Sequence, residues 1–185
     1  TAISGSPPFE IDQDNNYHFL PVVEDIDDDD LSFSIKNKPD WADFNPEQGL
    51  LTGLPGNADV GEYTDIIISV TDGKETVPLS AFSIKVNNVN DAPEISGVPP
   101  TSLDEQQNYF FQAPAKDIDK DDKLVFSVVN LPRWASFDTL TGILQGMPGS
   151  QDSGKYSGIV IAVTDGIASA RLPGFSIKVN NVNHK

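Results

Sequence analysis

The side chains able to do chemistry in this chain are carboxylates and carboxamides, and they occur in sets that appear twice. Asp25-Ile26-Asp27 returns as Asp117-Ile118-Asp119, and Val70-Thr71-Asp72-Gly73 returns as Val163-Thr164-Asp165-Gly166. Between the copies runs Asn87-Asn88-Val89-Asn90-Asp91-Ala92-Pro93. It closes a nine-residue segment, FSIKVNNVN at 82–90, that is repeated letter for letter at 175–183. Residues two apart in extended chain point the same way. Asp117 and Asp119 are therefore expected to face one volume, with Ile118 turned toward the core and Asp165 and Asp121 joining them. Carboxylates gathered in this way raise each other's pKa unless a cation intervenes. Calcium, which takes six to eight oxygens from carboxylates, Asn side chains and backbone carbonyls, suits such a set. The run Asp28-Asp29-Asp30 taken alone reads as a solvated acidic loop. An EF-hand is excluded, because no Gly stands at the sixth position, no Glu closes the loop and no helices flank it.

Other chemistries find little support. There is no cysteine, and the two histidines, His18 and His184, do not match between copies; no Ser/His/Asp arrangement emerges. Paired acids could serve a glycosidase, but acids duplicated at equivalent positions point to structure, and no enzyme is expected. Trp41 and Trp134 occupy matched positions near Pro and Phe, which reads as core rather than as platforms for sugars. Of 16 aromatic residues, only Phe9 and Phe110 lack an aromatic counterpart, so few remain for a glycan face.

Composition narrows the partners. Acidic residues number 28 against 12 basic, for a net charge of −16. That balance argues against nucleic-acid binding and against attraction to anionic lipid. No run approaches the roughly 18 apolar residues of a membrane span. No signal peptide is visible at Thr1, so the chain reads as a segment of something longer. Without disulfides, metal ions are the available staple for a small extracellular domain.

The elements that must position these acids follow from the repeat. The copies align at an offset of 92 until Lys123 is inserted, and of 93 thereafter, giving two domains over 1–92 and 93–185. Within a copy the apolar period is two: Phe82, Ile84 and Val86; Tyr63, Ile66, Ile68 and Val70; Leu31, Phe33 and Ile35. Clusters of Gly, Pro, Asn and Asp separate these runs, so the expected fold is all-β, a sandwich of about seven strands per copy. Let the end where the chain enters a copy be its upper pole. A turn at Asp72-Gly73 joins a strand over 62–71 to a final strand over 75–87, which places Asp72 at the upper pole and Asp59 at the lower, roughly 30 Å away. A strand rising through Tyr17 to Val23 brings Asp25 and Asp27 beside Asp72. The same reasoning groups Asp117, Asp119 and Asp165 at the upper pole of the second copy, toward Asp59, Asn88, Asn90 and Asp91.

These residues also carry a family resemblance. Pro39-Asp40-Trp41 with Phe44, the turn from Gly49 to Gly53, the stretch NADVGEYT at 57–64, Val70-Thr71-Asp72-Gly73 and Asn88-Val89-Asn90-Asp91-Ala92-Pro93 together resemble dystroglycan-type cadherin-like domains in tandem. The resemblance covers nearly the whole chain. It implies Ig-like, Greek-key sandwiches with Ca2+ at the junction. Asn88, Asn90 and Asp91 would be the linker ligands, Asp117 and Asp119 the paired acids, Asp165 a further acid, and Asp59 or Glu62 the base of the preceding domain. The base glutamate of that pattern falls on Glu105 in copy two but on Gln13 in copy one, where Asp12 or Asp14 would have to compensate. The role implied is an adhesion or spacer segment of an extracellular or cell-surface protein, with other cadherin-like domains or cell-surface proteins as calcium-dependent partners. A carbohydrate-binding module acting on polysaccharide is the alternative.

Overall fold

The computed structural model describes residues 1–26, 30–120 and 122–182; of the positions singled out above, Asp27, Asp28, Asp29, Asp121 and His184 lie outside the described residues. The chain divides into two compact units, Thr1–Val89 and Asn90–Lys185, so Asn90 and Asp91 belong to the second.

Each unit is a β-sandwich. In the first, one sheet runs Glu10–Asp12, Phe82–Asn87, Gly61–Thr71, Ser32–Lys36, with Thr76–Pro78 pairing the far half of Gly61–Thr71. The first pair is parallel and the others antiparallel. The facing sheet is Tyr17–Phe19, Leu50–Gly53, Ala42–Asn45, and Ala2–Ser4 pairs Val22–Glu24 separately. The second unit repeats this plan. Ser102–Asp104, Phe175–Asn180, Gly154–Thr164 and Val125–Val129, with Ser169–Arg171, oppose Tyr109–Gln112, Ile143–Gly146 and Ala135–Phe137; Glu94–Ile95 pairs Ala115–Lys116. Among the described residues, no helix is long and apolar enough to cross a membrane.

The alternation read in the sequence is what fills the core. Ile66, Ile68 and Ile84 from one sheet meet Tyr17, Phe19, Ala42 and Leu51 from the other, all nearly or wholly buried, and Val70 and Val86 are buried on the same strands. Removing a side chain such as Leu51 from water contributes about 2 kcal/mol. Trp41 stands edge-on between Tyr17 and Tyr63, with ring centroids 5.8 Å away on either side, and Trp134 holds the same place between Tyr109 and Tyr156. Both tryptophans pack against the core, as their matched positions predict. Gly49 (φ 72°) and Gly142 (φ 69°) turn the chain where a Cβ would strike the rings of Phe33 and Phe126 at 2.5 and 2.8 Å.

Three expectations need correction. The strand expected through Tyr17 to Val23 breaks into Tyr17–Phe19 and Val22–Glu24, which pair different partners. Pro21 has no N–H for the ladder, and Pro114 produces the same break in the second unit. The final strand likewise splits after Pro78; Leu79 dips into the core and donates its N–H to the Ile68 carbonyl at 2.8 Å. Finally, Ile118 does not face the core, nor does its counterpart Ile26. Ile118 is 66% and Ile26 95% exposed, whereas Asp119, the next residue after Ile118, is 4% exposed and takes the inward place.

Candidate metal centre

At the upper pole of the second unit, three local structures are joined by hydrogen bonds between their polar groups. The turn after Gly154–Thr164 is built by Asp165, whose Oδ1 accepts the backbone N–H groups of Ile167 and Ala168, both at 2.6 Å. Gly166 supplies the positive φ, 99°, that this tight turn requires. These amides, with the Asn90 carboxamide, hold the Asp165 carboxyl below its ordinary value of 3.8. Its Oδ2 is left to accept from Asn90 Nδ2 at 3.0 Å. Asn90 Nδ2 also reaches the Asp91 carbonyl at 2.7 Å.

The second structure is the turn at Asp117–Lys120, with Asp122 close by. Asp117 Oδ1 accepts the Asp119 N–H at 2.9 Å. Asp119 is 4% exposed, and its Oδ2 accepts the Asp91 N–H at 2.7 Å. One carboxylate oxygen each from Asp117, Asp119 and Asp122 lie within 4.8 Å of one another. The other Asp117 oxygen, Oδ2, is buried and has no hydrogen-bond partner. The third structure is the linker itself, Asn90-Asp91, held by both acids. A cleft of about 360 Å³ bounded by Asp91, Glu94, Asp117 and Ile118 opens beside it.

This donor set fits calcium. An orphaned buried carboxylate oxygen is costly unless a cation or proton satisfies it, and hard oxygen ligands without nitrogen or sulfur suit Ca2+. Of the residues singled out in the sequence, Asp117 and Asp119 come together with Asp122, and single hydrogen bonds tie Asp91 to Asp119 and Asn90 to Asp165. Asp122 was not singled out in the sequence. Its signal was the matched Asp30, which was read together with Asp28 and Asp29 as part of a solvated loop.

The first unit assembles a smaller version. Thr1 Oγ1 donates toward Asp25 Oδ1 at 3.1 Å and Asp72 Oδ2 at 2.9 Å, and the Thr1 amino group lies 3.6 Å from Asp25. Asp72 Oδ1 accepts the N–H groups of Glu75 and Lys74, at 2.7 and 2.8 Å. The Asp72 carboxyl is therefore held well below the usual range, chiefly by those amides, then by the Thr1 hydroxyl.

The lower pole of the first unit holds Asp59 and Asn88. The register of Val86 with Gly61 puts both at that end, and the eleven-residue strand Gly61–Thr71 separates them from Asp72 by about 33 Å. Asp59 Oδ2 accepts the Gly56 N–H at 2.8 Å, and its carbonyl accepts the Tyr63 hydroxyl at 2.9 Å. Its counterpart Asp152 makes the same two bonds to Gly149 and Tyr156, so this aspartate has a local structural task in both copies. Gln13 and Glu105 are matched and buried, at 3% and 4% exposure, with their N–H groups on the Asn87 and Asn180 carbonyls at 3.0 Å. Asn181 Nδ2 lies 3.4 Å from Glu105 Oε2.

The duplicated sandwich and its polar poles define a class before any comparison is made: an Ig-like domain pair. The chain belongs to the family described as "Putative Ig domain", which matches it over residues 1–87 and again over 92–180. Among solved structures it is similar to the EC1-2 pair of human protocadherin-24, with 18% identity over 95% of each chain and a TM-score of 0.55. It is also similar to the protocadherin gammaB7 EC3-6 cis-dimer structure, with 12% identity, 100% of this chain and 48% of that one, and a TM-score of 0.53. The endo-fucoidan hydrolase MfFcnA4 of glycoside hydrolase family 107 matches at 22% identity and a TM-score of 0.40; this chain covers 28% of its length. No curated protein sequence matches the chain. At these identities the two protocadherin likenesses show the fold alone.

Proposed function

We propose that this chain is a calcium-binding, cadherin-like doublet that serves as an adhesion or rigid spacer segment of a larger extracellular or surface protein, without catalytic activity of its own. The observation that carries the reading is Asp117 Oδ2, buried and without a hydrogen-bond partner beside the oxygens of Asp119 and Asp122. Asp117, Asp119 and Asp122 would hold the ion, with Asp91, Asn90 and Asp165 completing or orienting the set. Calcium supplies the positive charge that relieves the repulsion among these carboxylates. Because Asn90 and Asp91 directly follow Val89, the last residue of the first unit, an ion at the junction anchors the connecting segment to the second sandwich and restricts its swing.

The test is a calorimetric calcium titration paired with small-angle scattering in calcium and in chelator. Saturable binding that narrows the distribution of dimensions is expected. An absence of binding heat at millimolar calcium refutes the ion site. Binding with an unchanged scattering profile refutes the stiffening role.

A further inference from the structure

The two units carry unequal charge. Residues 1–89 hold 17 acidic and 4 basic side chains, whereas residues 90–185 hold 11 and 8. The difference is written across one row of the five-stranded sheet. In the first unit Lys85 pairs with Glu10 on one side and Glu62 on the other, so the row neutralises itself. At the matched register of the second unit, Lys178 pairs with Ser102 and Lys155. Ile177 and Val179 are buried, which turns Lys178 and its row partners outward, and both lysines and Ser102 are exposed. Like charges placed directly opposite each other destabilise a sheet. The fold does not require them, because the first copy builds the same sheet without them.

Farther along the same outer face, Arg171 pairs with Ala162 and is exposed. Seven residues of strand separate Ala162 from Lys155, so the two basic sites are roughly 20 Å apart. Between them the row of Val160 and Val129 carries no charge, nor do Ala162 and Ser127 beside Arg171. Two lysines whose Cβ atoms stand about 5 Å apart can close on one anionic group. A second anion some distance along the same polymer would reach Arg171. Backbone groups within this sheet are consumed by the ladder, so recognition falls to side chains, and the exposed hydroxyls of Ser102 and Ser127 match sugar hydroxyls. A polymer with a phosphate at every residue would be repelled by the chain's net −16; sparse anions on a neutral backbone would not.

We propose that this face of the second unit binds an acidic polysaccharide, with Lys155 and Lys178 holding a sulfate ester or carboxylate. The inference does not rest on the calcium reading. The test measures binding of the full chain, in calcium, to sparsely sulfated dextran, carboxymethyl dextran of the same low substitution, neutral dextran and duplex DNA. One of the two acidic polysaccharides is expected to bind, which also separates sulfate from carboxylate, while dextran and DNA bind at least about tenfold more weakly. Lys155→Glu restores the Glu–Lys pairing of the first unit and is expected to weaken binding about tenfold. Lys178→Gln should weaken it as well, and Lys36→Glu, the same charge change on the first unit, should leave it within about twofold. Circular dichroism melts confirm that the variants fold. No binding of either acidic polymer, parent-like binding by both lysine variants, equal loss in Lys36→Glu, or DNA bound as tightly would each overturn the proposal.

Discussion

Asp119, 4% exposed, accepts the backbone N–H of Asp91 at 2.7 Å across 28 residues of sequence. The contact ties the first residues of the second unit to its acidic turn, so one carboxylate has two tasks, anchoring the linker and contributing charge. The two can be separated. Asp119→Asn keeps an oxygen for the Asp91 amide but removes the charge. It is expected to lower calcium affinity by about tenfold or more while leaving the chelated protein's melting temperature within a few degrees of the parent. Asp119→Ala should lose both. Parent-like calcium affinity in Asp119→Asn, by calorimetry, removes Asp119 from the ligand set.

Trp134→Ala should destabilise the second unit by about 3 kcal/mol, because it empties the space between Tyr109 and Tyr156. Each unit has its own core, so denaturant unfolding should show one transition displaced and the other unmoved. A variant that melts like its parent would place Trp134 outside the core.

Gly142→Ala combines a left-handed backbone, φ 69°, with a Cβ 2.8 Å from the Phe126 ring. A cost of about 2 kcal/mol is expected, and Gly49→Ala should act on the first unit in the same way through Phe33. Chemical denaturation checks both, and neutral substitutions would mean that the turn relaxes freely.

How far the sequence reached depended on the kind of contact. Strands such as Gly61–Thr71 and the tryptophan cores were legible because burial writes a period of two and the repeat marks it twice. Asp117, Asp119 and Asp165 were legible because they recur at matched positions in both copies. The inward turn of Asp119 was not, since alternation assigns the core to Ile118; what decides the case is a hydrogen bond from Asp91, which no local pattern encodes. Asp122 was hidden because its match, Asp30, closes an aspartate run that reads as a solvated loop. The Lys155–Lys178 pair was hidden because cross-strand register joins residues 23 apart.

Acid should weaken both upper poles. The folded-state pKa values of Asp72 and Asp165 lie below the ordinary 3.8, held down first by the amides of the turns they cap. A depressed carboxylate contributes stability above the unfolded value and loses it as pH falls toward the folded one. In chelator, stability should therefore hold from neutral pH to about 5 and decline below about 4. Asp165→Asn should flatten that decline in the second unit's transition. An equally steep decline in the variant, measured by denaturant unfolding from pH 7 to 3, would assign the acid sensitivity to other groups.

The last prediction concerns where the calcium ligands reside. Asn90 and Asp91 are bound to Asp165 and Asp119 within the second unit, and Asp117 lies in the same turn as Asp119, with Asp122 close by. Asp59, a candidate from the first unit, already spends one carboxylate oxygen on Gly56, as its counterpart Asp152 does on Gly149. A segment of residues 90–185 should therefore fold on its own core and bind calcium within about tenfold of the doublet. Calcium at a hundred times its dissociation constant should then stabilise that segment by about 2.7 kcal/mol. Starting the segment at Pro93 deletes Asn90 and Asp91, and affinity should fall by a further tenfold or so. Calorimetry on the two segments, with Asp119→Asn as the blank, makes the comparison. If the 90–185 segment folds but does not bind, the first unit supplies essential ligands, and Asp59 and Asn88 are the residues to substitute next.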